Sequence, residues 1–435
     1  MRIGLFTDTY RPSINGIVYV VDSLKCELEA LGHEVYVFCP AKSIRPSKHA
    51  ELLCEDDHVI RFPSFKSGLF DDFDMSVFFP PRVISQIREL DLDIVHIFTP
   101  SQVGLIGVRA AYKSDIPFVI QHCTDLYEFS ANYPNVLPGV LALASIVLPT
   151  TVKLDGKDIR ELIKLYRPRR GVVRWNQDII ERAITIMYSK ADAVIALSRK
   201  SVNQLKSWQH DKEYAYDLTL LPNGVDALPQ PSTEAVAAFR RQHGIAESDE
   251  VYGFVGRLGE EKNLPILIQA LPYVLARRPR ARLLFVGDFE YRKTLERMAD
   301  ESGYGDRVTF TGAIPREQLG VAYQTFDVFT FPSLKDTQGW VLHEAAHAGL
   351  PIVIIDREVS EVVHDGENGY YVDNQPEDLA MKVADLLGDD ALRAKFGAES
   401  QRLAATFTER HQVEKLAELY AQAIERHVAR DDNSW

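Results

Sequence analysis

Cysteine is scarce in this chain and badly placed for cross-linking. Cys26, Cys39, Cys54 and Cys123 all lie in the first third, and no two form a C-x-x-C pair. That excludes a disulfide frame or a zinc site and fits free thiols in a reducing compartment. No apolar run reaches the 18 residues that suggest a membrane-spanning helix. The opening MRIGLFTDTY carries one basic residue and reaches Asp8 at once, so it lacks the apolar core of a secretory signal. These absences give a cytoplasmic expectation. Positive charge is also short: 49 Lys and Arg against 62 Asp and Glu leave −13. Nucleic acid is therefore not an expected partner, and any anionic partner needs a local basic patch. No repeat or low-complexity segment is present. The first loop, TDTYRPSINGIV, has no G-x-G-x-x-G, which argues against a dinucleotide oxidoreductase.

What is present is enough for two cores. At 435 residues the chain exceeds one ordinary hydrophobic core, and its 46% apolar content suits globular domains. Arg2 to Phe6 reads as a buried strand. A helical pattern follows from about Gly16 to Leu31, then a strand from His33 to Cys39. Strands joined by helical crossovers imply a doubly wound parallel sheet. Further strands are expected at 93–98, 118–121 and 191–198, and a second series starts at Val251. The domain boundary is expected near 223, inside PNGVD. That gives domains at 1–222 and 223–410, and a terminal helix at 411–435 with the option of packing back on the first domain.

One stretch organises the second half: FPSLKDTQGWVLHEAAHAGLP, Phe331 to Pro351. The apolar run 326–331 predicts a strand. Asp336 falls on the loop after it, and Gly339 precedes a helix from about Trp340 to Ala348 that carries Glu344 near its start. Ligands of open α/β sheets bind at that edge, and a helix N-terminus offers free N–H groups to a diphosphate. Two carboxylates there accept hydrogen bonds from sugar hydroxyls, or merely complement the helix dipole. Arg257 and Lys262 in VGRLGEEKNL flank another expected helix start, which suits a leaving diphosphate. In the first half, Gly16 opens a helix where backbone can approach a phosphate, or simply turns. His122 ends a strand and is either a donor or base for a sugar hydroxyl or a hydrogen-bonded structural histidine.

The Asp336-x7-Glu344 pair resembles the E-x7-E signature of retaining GT-B glycosyltransferases of the family-4 type, with Asp in place of the usual first Glu. The resemblance continues through GFVGRLGEEKNL, LLFVGD, RVTFTG and DGENGYYV. It implies α/β architecture: two doubly wound Rossmann-like domains facing a central cleft, with the nucleotide sugar on the second and the acceptor on the first. It implies Arg257 and Lys262 as the diphosphate clamp, Glu344 on the ribose and Asp336 on the hexose. Thr337, Gln338, Gly339 and Trp340 complete the substrate loop, Gly16 lies near the diphosphate, and His122 faces the transferred sugar. No metal is expected, and the donor is expected to be a UDP-hexose. The Thr337-Gln338 pair looks like that of members that glycosylate diacylglycerol. A hexose transfer, glucose or galactose, to a membrane lipid is therefore the expected reaction. A soluble sugar or metabolite acceptor, a GT-B epimerase or phosphorylase, and a nucleotide-sugar sensor stay open as alternatives.

Two further segments bear on partners. Residues 136–151 (VLPGVLALASIVLPTT) carry no charge. The next stretch, Lys153 to Arg174, sets eight basic residues against three acids. An apolar segment beside a basic one suits peripheral contact with an anionic membrane on the inner face of the cell; a helical hairpin with a solvated charged face is the alternative. Residues 61–82 read as irregular and aromatic, and Asp72 and Asp74 within them only superficially suggest a metal-binding D-x-D.

Overall fold

The computed structural model describes residues 1–11, 16–41, 58–62, 64–66, 74–76, 81–98, 102–123, 154, 156–165, 172–209 and 214–432. The chain divides into two units: Met1–Asn223 with Gln412–Trp435, and Gly224–His411.

The first unit holds β1 (Arg2–Phe6), β2 (Glu34–Pro40), β3 (Val59–Phe62), β4 (Ser64–Lys66), β5 (Asp74–Ser76), β6 (Ile94–Ile97), β7 (Phe118–His122), β8 (Ala193–Ala196) and β9 (Leu218–Leu220). Seven of these form one parallel sheet in the order β3-β2-β1-β6-β7-β8-β9. The strand order reverses between β1 and β6, so this sheet has its topological switch point there. Ile94–Ile97 and Phe118–His122 are buried at every position. That follows from helices covering both faces of a parallel sheet, and it is why these strands read as unbroken apolar runs.

The stretch 61–82 is more regular than its composition suggests. β3 ends inside it, β4 and β5 pair as a short antiparallel hairpin, and a helix begins at Pro81. Three-residue strands are too short to show a period-two pattern. Asp74 opens β5 opposite Lys66, and Asp72 lies outside the described residues. Among the described residues no three His, Cys, Asp or Glu side chains gather as metal ligands.

The last helix, Glu409–Asp432, contributes most of its length to the first unit. Its Tyr420 hydroxyl hydrogen-bonds Nδ1 of the buried His96 at 2.5 Å. Its His427 and Arg430 both reach Asp192 Oδ1 at 3.1 Å, and Arg426 pairs with Asp217. Asp192 is itself buried and accepts the Phe118 N–H at the start of β7.

The second unit holds β10 (Glu250–Val255), β11 (Ala281–Val286), β12 (Val308–Phe310), β13 (Val328–Phe331), β14 (Ile352–Ile354) and β15 (Gly369–Tyr371). They form a parallel sheet in the order β12-β11-β10-β13-β14-β15. The chain runs outward from β10 to β12, then crosses back to lay β13 on the other side of β10. The switch point is therefore between β10 and β13, and the loops leaving their carboxyl ends diverge there. A continuous core of Val, Ile, Leu and Phe from strands and helices supports this edge from below.

Candidate donor site at the carboxyl edge of the second sheet

The loop after β10 begins with Gly256 and Arg257. The Arg257 side chain is 62% exposed, lies 4.8 Å from the centroid of the Phe289 ring and pairs with Glu261 at 3.2 Å. Arg257 and Lys262 do not flank one α-helix start. Glu260–Lys262 is a single 3₁₀ turn, Asn263 follows in the left-handed region at φ 56°, and the helix Pro265–Arg277 begins only afterwards. The left-handed residue breaks helical continuity, and Asn is one of the few side chains that tolerates it. Asn263 Nδ2 donates to the Pro332 carbonyl at 3.1 Å and to Asn374 Oδ1 at 2.9 Å, tying this loop to the one after β13.

Asp336 lies on the loop after β13, as its place beyond the apolar strand implies. Its Oδ1 accepts from Lys262 Nζ at 2.6 Å, and both side chains are largely shielded from solvent. Thr337 is half-buried and Gln338 is buried. Gly339 takes φ 66° and precedes the helix Trp340–His347; a Cβ there would sit 2.8 Å from Leu342 Cδ1. A left-handed turn against a packed leucine leaves room only for glycine.

Glu344 stands on the fifth of the helix's eight residues, a turn deeper than a helix-start acid. It is 3% exposed. Arg316 Nη1 donates to its Oε1 at 2.6 Å, and the Tyr323 hydroxyl donates to its Oε2 at 2.7 Å. Burial, and then the neighbouring Glu344 charge, push the Tyr323 hydroxyl well above its ordinary pKa, so it stays a donor. The Arg316 guanidinium also lies 5.8 Å from the centroid of the half-buried Trp340 ring.

The second unit thus brings Arg257, Lys262, Asp336, Thr337, Gln338, Gly339, Trp340 and Glu344 to one edge of one sheet. Arg316 and Tyr323 join them, and sequence reading does not single these two out. Both lie in the β12–β13 connection, and the one local hint is a basic residue after Pro315 in AIPREQL.

Gly16 and His122 belong to the first unit. Gly16 is the first residue of the helix Gly16–Ala30, and a Cβ there would meet nothing within 4 Å. His122 ends β7, but its ring is only 1% exposed. Nδ1 is 2.9 Å from the Tyr188 hydroxyl, and the ring packs edge-on against Tyr188 and Trp208.

Of the apolar and basic stretches, 136–151 lies outside the described residues, as do 153, 155 and 166–171. Within the remainder lies the helix Gly156–Leu165. Asp158 is buried against Lys190 at 3.2 Å, and Glu161 pairs with Arg182 at 3.6 Å. Ile159 and Ile163, one turn apart, are 46% and 60% exposed. Among the described residues no helix is long and apolar enough to cross a membrane.

Comparison with known proteins places this geometry. The family model for glycosyl transferases group 1 matches residues 235–403, and that for Glycosyltransferase Family 4 matches residues 14–227. The chain is 30% identical over 392 residues to the alpha-monoglucosyldiacylglycerol synthase of Acholeplasma laidlawii, covering 88% of this chain and 87% of that one. It is 25% identical over 375 residues to a GDP-mannose-dependent alpha-mannosyltransferase of Corynebacterium glutamicum, covering 86% and 77%. The solved structure of Anabaena HepE in complex with UDP and glucose superposes with a TM-score of 0.67 at 18% identity, covering 97% and 99%. With parallel sheets in both units, a model over most of each, and a 30% identical relative spanning nearly the whole chain, this protein belongs to the family-4, group 1 glycosyltransferases of GT-B fold and resembles their lipid-directed hexosyltransferases.

Proposed function

We propose that this glycosyltransferase moves a hexose, glucose or galactose, from UDP to a hydroxyl of a membrane lipid such as diacylglycerol, and retains the anomeric configuration. The observation that carries the donor half is the charge arrangement at the β10–β13 switch point: Arg257 and Lys262 on one loop, Asp336 on the next, Glu344 behind them. A nucleotide sugar presents, in order, ribose hydroxyls, a diphosphate and hexose hydroxyls. Glu344 accepts from the ribose, Arg257 and Lys262 take the diphosphate, and Asp336 accepts from the hexose. As the bond from the anomeric carbon to the phosphate oxygen breaks, negative charge grows on the diphosphate and the two cations stabilise it. The acceptor oxygen bonds to the same face of that carbon, and its proton passes to the leaving phosphate oxygen. Positioning supplies much of the rest. Side-chain cations that already meet the phosphate charge make a metal unnecessary to this scheme.

The relative named for making monoglucosyldiacylglycerol supports a glucose donor and a lipid acceptor. The UDP complex of a protein with the same fold supports uridine, while the GDP-mannose relative marks the competing donor. The exposed apolar side chains of the helix Gly156–Leu165 support a peripheral location at the membrane, which we place at the cytoplasmic face. Exposed isoleucines one turn apart, beside the exposed Arg160, suit the boundary of an anionic bilayer.

The test is product formation. The protein is incubated with UDP-glucose, UDP-galactose or GDP-mannose, with diacylglycerol in anionic vesicles or with soluble sugars, with and without a chelator. Glycolipid with the donor's anomeric configuration, formed from a UDP-hexose and unaffected by chelation, is the expected result. Product only on soluble sugars, or inverted product, overturns the corresponding half.

A further inference from the structure

Glu344 is a buried carboxylate, and its two hydrogen-bonding partners come from one short piece of chain. Arg316 opens the 3₁₀ turn Arg316–Gln318 within the β12–β13 connection, and Tyr323 closes the helix Leu319–Tyr323 in the same connection. Arg316 reaches one oxygen at 2.6 Å and Tyr323 the other at 2.7 Å. An ionised carboxylate this far from water needs such partners, and with both in place its plane is fixed. It has about four lone-pair sites, so two bonds leave capacity for two further hydroxyl donors. Tyr323 is fully enclosed, whereas the Arg316 side chain keeps 27% of its surface open and lies over the Trp340 ring. The guanidinium is therefore set by both an ion pair and a ring contact, at the edge where a ligand arrives.

We infer that Arg316 is a positioning residue for the donor: it orients Glu344 so that the carboxylate's remaining lone pairs meet the ribose hydroxyls. The inference rests on the reading of Glu344 as the ribose-binding acid. Arg316 acts through Glu344 rather than on the reacting atoms. Its loss removes selectivity for ribose, whereas loss of a merely structural ion pair weakens every ligand alike.

The experiment is calorimetric titration of the full chain with UDP and with 2′-deoxy-UDP. The wild type should favour UDP by about 10-fold or more, the scale of a hydrogen bond to a charged group. Arg316→Gln should weaken UDP by a similar factor, leave 2′-deoxy-UDP nearly unchanged and bring the ratio close to one. Arg316→Lys keeps a cation without the planar fork, so it should restore part of the ratio. Should Arg316→Gln not fold, Arg316→Lys decides alone, through a ratio reduced from that of the wild type. In transfer assays the donor KM should rise more than kcat falls. An unchanged ratio in the variant overturns the role of Arg316 and leaves that of Glu344 intact. A wild type that binds both nucleotides equally, or neither, overturns the ribose reading itself and this inference with it.

Discussion

Lys262 and Asp336 meet at 2.6 Å between the loops that leave β10 and β13, neighbouring strands of one sheet. One is the cation proposed for the diphosphate, the other the anion proposed for the hexose. Without donor they neutralise each other. On that proposal a bound diphosphate competes for the ammonium group, and as Lys262 turns to it, lone pairs of Asp336 become available to sugar hydroxyls. Lys262→Ala removes the phosphate contact and leaves a shielded carboxylate without this cation. Transfer should fall about 10²-fold or more, the scale of one preorganised charge contact, and Glu344→Ala should do the same. Rates at the wild-type level in either folded variant would remove that residue from the donor site.

Asp336→Glu tests the departure from the usual family acid. The added methylene extends the carboxylate by about 1.5 Å, one carbon–carbon bond. On the proposed assignment the nucleotide is held elsewhere, so UDP affinity should change little. The ranking of UDP-glucose against UDP-galactose should change more. An untouched ranking with weakened UDP binding means that Asp336 serves the nucleotide and not the hexose.

The exposed isoleucines of the helix Gly156–Leu165 make a membrane prediction with two side chains. Ile159→Ser with Ile163→Ser removes apolar surface that is already exposed, so folding should be spared. Affinity for anionic vesicles in co-sedimentation should drop about tenfold or more, on the scale of burying a few CH₂ groups at about 0.8 kcal/mol each. Binding should also rise with the anionic lipid fraction and fall with salt. Undiminished vesicle binding by the double variant would place the contact elsewhere on the chain.

Two enclosed histidines predict how stability follows pH. Burial lowers the pKa of His343 in the second unit to about 3, and burial likewise lowers His96 in the first unit to about 3. Folded, both stay neutral; unfolded, both take up a proton below about 6.5. Stability is therefore lost as pH falls from about 6.5 towards 3, by up to about 1.4 kcal/mol per pH unit for each histidine. His427 works in the opposite direction. Its hydrogen bond to Asp192 raises its pKa, so its contribution is complete below about 6.5 and fades as pH rises through the folded value. The thermal midpoint should fall between pH 6.5 and 5, and His343→Gln should show a shallower fall from a lower starting point. Parallel curves for the two proteins would mean that His343 does not titrate differently on unfolding.

Local pattern carries much of this fold and little of the wiring within the site. β1, β6, β7, β10, β11 and β13 are legible because parallel strands buried on both faces must be apolar throughout. Asp336 is legible as a loop residue because a polar stretch follows such a strand. The partners of Glu344 are not: Arg316 and Tyr323 lie 28 and 21 residues earlier in the chain, and only the crossover between β12 and β13 brings them to it. The 3₁₀ turn at Lys262 hides for a related reason, since Asn263 goes left-handed to satisfy contacts with Pro332 and Asn374 on distant loops. The surroundings of His122 are equally illegible. A histidine at a strand end looks available in one dimension, and the side chains that enclose it, Tyr188 and Trp208, come from far along the chain. In the helix Gly156–Leu165 the pairing of two acids is hidden too, because Lys190 and Arg182, which hold Asp158 and Glu161, lie later in the chain.

The first unit is interrupted in sequence and the second is not, and this sets an order of events at the ribosome. The polypeptide leaves the first unit at Asn223 and returns at Gln412. The two ends of the second unit are stitched together. Val225 N–H donates to the Phe407 carbonyl and Glu409 N–H to Asp226 Oδ1, and a Cβ on Gly224 would stand 2.3 Å from Glu409 Cα. A chain emerging from its amino terminus therefore completes the second unit while the first still waits for Tyr420, His427 and Arg430. During that interval His96 lacks Tyr420 and Asp192 lacks His427 and Arg430, so the earliest-made domain is the last to be finished. A protein cut after Asn223 would carry this unfinished state permanently, whereas Gly224–His411 contains every strand of its own sheet.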